Sequence, residues 1–395
     1  MQDVPEAPGV GAKGDLLRDH LIQVPRNPGR ISGLRASARF LVGLRHLVHG
    51  ARSVIRSAPP RVVRPPRIAW FHVKRSLHIP TRSDRRFLIE EFGHKLAEGC
   101  IGPSCHVTVF GKDDGAGSQA LAGMSALALA KQYGLTYAHT PFRTVQHAEG
   151  PPEMWAAAWE RIFNFGKGEL QVSDCTLPRV EIEEFIADPR WWSAPCLLCA
   201  RYFTVILDRM PDTYVAAVPD LRAKYYSGNA PRPRSDIIEV CVHARRGFDV
   251  RPDNPETAHR FVSNEPIANA VSKTQLVLNQ LGLAARVRLF SQGHERDFAV
   301  PRDLGVELCL NTPGIETFHE LVRADILIMS KSSYSYVAAI LNEGIKLYDR
   351  FARSPMSDWI VRNSDGGFDV EELRRKLLAR ARHSSRQRGH VTAAG

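Results

Sequence analysis

His243, Arg245 and Arg246 stand within four residues of one another, directly after an apolar, β-rich run over 237–242 and shortly before Asp249. Two adjacent guanidinium groups, each a planar fork of donors that stays charged, suit the oxygens of a phosphate. The same pair could also be an ordinary surface feature after a strand, so its neighbours must decide. Ser291-Gln292-Gly293 and Ser330-Lys331-Ser332-Ser333 follow further apolar runs and again offer small hydroxyls and backbone N–H groups.

The elements that must position these groups are regular. Between 236 and 348, short apolar runs at 237–242, 286–290, 306–310, 325–329 and 345–348 alternate with helical patterns at 263–281, 315–323 and 334–342. Strands of about five residues separated by one helix each predict an α/β fold with a doubly wound parallel sheet. All strands of such a sheet end on one edge, where ligands bind. His243, Arg245, Arg246, Ser291, Gln292, Ser330, Ser332 and Ser333 are therefore expected on one surface, with a helix N-terminus near Ser333 adding partial positive charge. Asn311 and Thr312 read more simply as helix caps.

Residues 68–230 predict a first α/β domain, with strands at 68–73, 106–110 and 135–139 and an Ala-rich helix at 120–133. The loop between the second strand and that helix carries Gly115, Gly117 and Gln119, and its glycines would let a ligand approach the backbone closely. The spacing fails the dinucleotide-binding fingerprint, which needs a third glycine. Residues 151–201 read as helical and aromatic, and of Trp155, Trp159, Phe163, Phe165, Trp191 and Trp192 most are expected in the core, exposed ones being able to form a sugar-stacking platform. The turn-rich stretch 227–235 is the best linker, giving domains at 68–230 and 231–395.

The net charge of +11 is concentrated at the start of the chain. Residues 1–75 hold fourteen Lys and Arg against four acids, so the remainder is nearly neutral. Residues 1–67 read as a basic, largely disordered extension. Within it 33–57 predict an amphipathic helix, for an anionic membrane surface or a protein partner. Its basic residues lack interleaved aromatics, which argues against nucleic acid. No apolar run is long enough to span a membrane, no secretory leader is expected, and the seven scattered cysteines do not read as a disulfide framework. The expected location is the cytoplasm, with 33–57 at the inner face of the membrane. Cys196 and Cys199 lack the partners of a zinc site and read as core residues.

His243-Ala-Arg-Arg-Gly resembles the His-x-Arg-Arg motif of the fucosyltransferase superfamily, which includes α-1,2-, α-1,6- and protein-O-fucosyltransferases. Residues 289–293 and 329–336 resemble its second and third motifs, and Asp114-Gly-Ala-Gly-Ser-Gln119 resembles its N-domain loop. Together they cover roughly 105–348. Phe248 is inserted before Asp249, and Ser118 replaces the family's usual Asn. The resemblance implies two facing Rossmann-like domains (GT-B type): an acceptor-side domain with Gly115, Gly117 and Gln119, and a C-terminal domain holding a nucleotide sugar without a metal. It implies that Arg245 stabilises the leaving diphosphate, Arg246 supports nucleotide or acceptor, His243 shapes the guanosine site, and Ser332 and Ser333 take phosphate oxygens. The expected activity is inverting transfer of fucose from GDP-fucose to a glycan or polysaccharide, the alternative being a non-catalytic nucleotide- or glycan-binding protein. For a base, Asp249 and Glu256 are favoured over Asp253 in the same loop and Asp113 and Asp114 opposite.

Overall fold

The computed structural model describes residues 82–392 apart from 234, 248 and 249, all within one compact unit, Ile79–Gly395. The expected strand at 68–73, the basic helix at 33–57 and Asp249 lie outside the described residues. Helix α1 (Arg82–Ala97) leads into β1 (Cys105–Val109), α2 (Ala116–Tyr133) and β2 (Thr136–His139), a β–loop–α–β unit. Then follow α3 (Pro152–Phe163), β3 (Leu170–Gln171), β4 (Arg179–Glu181), α4 (Ile182–Ala187), β5 (Cys196–Ala200), α5 (Thr204–Leu207) and α6 (Thr213–Tyr226). These strands form a parallel sheet in the order β3-β2-β1-β5-β4.

One sequence expectation is corrected here. The stretch 151–201 is not helical throughout, because Cys-Leu-Leu-Cys-Ala is β5, fully buried beside β1. An apolar run of five residues has no visible period, and its helical surroundings masked it. Cys196 and Cys199 are buried free thiols. Three places apart on a strand, they face opposite sides of the sheet.

The second half alternates as expected, within a residue or two of each boundary. It comprises β6 (Ile238–His243), α7 (Asn264–Gln280), β7 (Ala285–Ser291), α8 (Ala299–Asp303), β8 (Glu307–Leu310), α9 (Gly314–Val322), β9 (Ile326–Ile328), α10 (Ser333–Leu341) and β10 (Ile345–Asp349). A short strand, β11 (Ile360–Arg362), and helix α11 (Val370–Thr392) complete it. The strands are parallel in the order β11-β10-β9-β6-β7-β8. Both sheet faces are covered, and Val240, Val242, Leu289, Ile328 and Leu347 share one core. The order reverses between β6 and β9, and a crevice opens at such a switch point, beyond the strands' carboxyl ends.

Helix α2 ties the two sheets together. It is apolar and small-residued on nearly every side, as a helix buried all round must be. One side lies on β1 and β2, and the other meets α6 and α10. At Gly117 the approach to α10 is at its closest. A Cβ there would stand 2.5 Å from Tyr334 Cα and 2.6 Å from its backbone nitrogen. Only glycine lets the first turns of α2 and α10 meet. Gly117→Ala should force them apart and lower stability by about 1–3 kcal/mol in urea unfolding, the usual cost of overpacking. An unchanged midpoint would show that the contact is not tight.

Candidate functional site

Strand β6 ends in a buried imidazole. His243 Nδ1 lies 3.1 Å from the hydroxyl of Ser330, just after β9, and also meets that of Ser335, in the first turn of α10. The Tyr334 ring packs on it at 5.3 Å between centroids. Burial, and secondarily the Arg245 charge, push its pKa down to about 3. The ring is therefore neutral at physiological pH, and its serine bonds fix its orientation.

The two arginines that follow differ. Arg245 lines the crevice between the sheets, half-buried. The Arg246 guanidinium lies over Phe261, 3.8 Å from the ring centroid, with Phe298 beyond at 5.7 Å. Its Nη2 donates to Asn264 Oδ1 at 3.2 Å, while Nη1 is buried without an acceptor. Burial lowers its pKa to about 10, against the pull of Asp297 and Glu265, so it stays protonated at pH 7. Stacked and desolvated, it is a fixed charge in the crevice wall.

Opposite these arginines the first turns of two helices converge. Ser332 caps α10, its side chain accepting from Tyr334 N–H at 3.2 Å, and Ser333 opens the helix. Gly115 precedes α2 with no side-chain cap. Neither first turn carries an acid. Two helix N-termini held together present backbone N–H groups and like partial charges, a combination that favours an anion between them.

The resulting cleft has a volume of about 620 Å³ and spans both sheets. Its wall brings together His243, Arg245, Arg246, Ser291, Gln292, Ser332, Ser333, Gly115 and Gly117. Ser330 and Gln119 stand behind it. The former braces His243, and the latter donates to the Asp114 and Thr144 carbonyls at 2.6 and 2.7 Å, joining the loops after β1 and β2. Gln119 belongs to a separate cavity of about 340 Å³ at the carboxyl ends of β1 and β2. Ser291 donates to the Ala244 carbonyl at 2.7 Å and so joins the loops after β6 and β7. Asn311 is no helix cap, because its side-chain amide pairs with both backbone groups of Gly293.

Glu256 is the expectation the geometry does not bear out. It sits exposed after Asn254, whose side chain accepts its N–H, and the loop presents Arg260 to the cleft instead. Asp253 is likewise exposed, paired with Arg251. Sequence reasoning missed His147 and Glu149 in the wall, where Trp155 and Trp159, buried as expected for most of those aromatics, also stand. The rule that places ligands beyond strand ends, applied to β2 as it was to β6, points to the loop 140–151. His147 there adopts a left-handed φ of 61°, a conformation uncommon for a residue with a side chain.

Among the described residues no group of three or more His, Cys, Asp or Glu side chains could hold a metal ion. Among them, too, no helix is long and apolar enough to cross a membrane. No family model matches the chain, and no curated protein does. Solved structures that superpose include fucosyltransferase NodZ from Bradyrhizobium, at 10% identity and a TM-score of 0.33, covering 60% of this chain and 93% of that one. E. coli heptosyltransferase WaaC with ADP-2-deoxy-2-fluoro heptose superposes at 10% identity and 0.33, covering 71% and 99%. A mutant of Arabidopsis thaliana FUT1 in complex with GDP does so at 11% identity and 0.31, covering 76% and 80%. Likeness at this level says nothing of what this chain binds.

His243 supplies a pH test. Its folded pKa lies below its ordinary value of 6.5, so the folded state binds fewer protons than the unfolded one between the two values. The stability of the neutral ring is full above about pH 6.5 and is lost as pH falls towards about 3, by ~1.4 kcal/mol per unit. Between pH 7 and pH 5 the wild type should lose about 2 kcal/mol more than His243→Asn in urea unfolding. Parallel pH dependences would mean that His243 is not buried neutral.

Proposed function

We propose that the chain is an inverting glycosyltransferase that takes its sugar from a nucleotide diphosphate, GDP-fucose in the first instance. The observation that supports this best is the meeting of the α2 and α10 N-termini at Gly117 and Tyr334, on the same cleft as Arg245 and Arg246. A diphosphate supplies the negative charge that this arrangement favours. A volume of about 620 Å³ is within the range of small-molecule sites. The choice of guanosine and fucose rests on the likeness of His243-Ala-Arg-Arg-Gly and of the loops at 289–293 and 329–336 to the fucosyltransferase motifs.

In this reading the α2 and α10 N–H groups, with the Ser332 and Ser333 hydroxyls, hold the diphosphate. Arg245 faces the oxygen from which the sugar departs. As the anomeric bond breaks, charge builds on the β-phosphate, and a cation already in place offsets it without reorganising. Arg246, fixed by its rings, and neutral His243 keep the strand end in register.

GDP release from GDP-fucose in water tests the assignment. Arg245→Ala should slow it by about 100-fold or more, the loss typical for a single preorganised charge-stabilising donor, while the variant still unfolds cooperatively. Turnover at the wild-type rate would remove Arg245 from the chemistry, and GDP binding without turnover of any donor would favour a non-catalytic binding protein. The acceptor in this reading is a glycan or polysaccharide at a membrane surface, with 33–57 as the contact. Replacing Arg39, Arg45 and Arg52 by Glu in the full chain should abolish its partition onto anionic vesicles. Undiminished partition would refute that contact.

A further inference from the structure

The cleft that Arg245 lines carries two acids among its described residues, Asp114 and Glu149. Asp114 is tied to its own loop through one oxygen: Lys112 Nζ lies 2.7 Å from Oδ2 and Ser118 donates to the same atom at 2.6 Å, while Oδ1 is buried out of contact with solvent. Glu149 is differently placed. Exposed in the cleft, it accepts the Gly314 N–H on its two carboxylate oxygens at 2.9 and 3.1 Å. Gly314 opens α9, so a helix N-terminus holds the carboxylate at a fixed point. The fit is close, since a Cβ on Gly314 would stand 3.0 Å from Glu149 Oε1 and 3.7 Å from the Trp155 ring. One shared N–H leaves most of the carboxylate's lone pairs unused.

The same wall holds a second, independent sign of a polar ligand. Trp155 and Trp159 are 9% and 2% exposed, pack edge-to-face at 5.6 Å, and line the cleft. The indole N–H of each is buried with no acceptor among the described residues. Buried indole N–H groups ordinarily find a partner, and both rings stand in the wall that carries Glu149, Trp155 beside its Gly314 anchor.

We infer that Glu149 is the base of the transfer reaction and that, with Trp155 and Trp159, it forms the seat of the attacking hydroxyl. The inference rests on the glycosyltransferase reading of the same cleft. The carboxylate takes the proton of the acceptor hydroxyl while that oxygen bonds to the anomeric carbon. The bond from that carbon to the β-phosphate oxygen breaks, and its electron pair leaves with the nucleotide diphosphate, whose charge Arg245 offsets. Water in the same seat is deprotonated in the same way, so hydrolysis of the donor reports on the base without a known acceptor.

The test compares GDP release from GDP-fucose by the full chain, Glu149→Gln and Glu149→Ala, alongside the GDP affinity of each by calorimetry. Gln keeps an oxygen for the Gly314 N–H but cannot take the proton. Loss of the base should slow both variants by about 100-fold or more, remove the acidic limb of the pH–rate profile, and leave GDP affinity within about two-fold. Sodium formate should restore part of the rate of Glu149→Ala. Wild-type hydrolysis by Glu149→Gln with a slow Glu149→Ala would reduce Glu149 to a tether of Gly314 and overturn the inference, as would loss of GDP affinity in Glu149→Gln. If the wild type releases no nucleotide from GDP-fucose, GDP-mannose, UDP-glucose or ADP-heptose, the glycosyltransferase reading itself fails and this inference falls with it.

Discussion

The structure depends on one contact, the meeting of two helix N-termini at Gly117 and Tyr334. Each terminus presents unpaired N–H groups and a partial positive charge, so bringing two together is unfavourable unless an anion lies beside them. Both first turns lack an acid of their own. Asp114, the nearest carboxylate in sequence to the start of α2, is bound by Lys112 and Ser118. The contrast with α9 is informative, because there Glu149 already occupies the N–H of Gly314. The starts of α2 and α10, unlike that of α9, have no acid in their first turns or on their first N–H groups among the described residues.

The rest of the molecule holds that contact in place. Helix α2 is sealed against β1 and β2 on one side and against α6 and α10 on the other, so it cannot shift without opening the core. On the α10 side, Asn342 fixes the end of the helix. Its buried amide donates to the carbonyls of Leu321, Val322 and Ala324, joining α10 to the end of α9 and the approach to β9. His243 does the same for the switch point by meeting Ser330 and Ser335 across the gap between β6 and β9. A charged imidazole there would meet both desolvation and Arg245, which is why the site needs it neutral.

Much of this was legible in the residues. The alternation over 236–348 marked each of the first five strands of the second sheet, because short apolar runs between helical periods leave few other readings. From strand order alone the carboxyl-end loops could be put on one edge, and the cleft wall contains most of the residues so named. What escaped has physical causes. Strand β5 is buried on both faces and so shows no alternation, and β11 is too short to show a period. Glu256 drew attention by its charge, but nothing in sequence says which residue of an irregular loop turns inward, and Arg260 does. Glu149 and the unpaired indoles of Trp155 and Trp159 belong to the first sheet's edge, where the strand-end rule had not been carried through. Their proximity to Gly314, 165 residues after Glu149, is a property of the assembled fold.

The central claim is that the joined starts of α2 and α10, beside Arg245, form a diphosphate seat. A crystal structure of the full chain with GDP tests it directly. The account predicts both phosphates between Gly117 and Ser333, with the β-phosphate within hydrogen-bonding distance of Arg245 and of α10 backbone N–H groups. GDP bound in the cavity at the ends of β1 and β2, or a cleft that stays empty at saturating GDP, would contradict it.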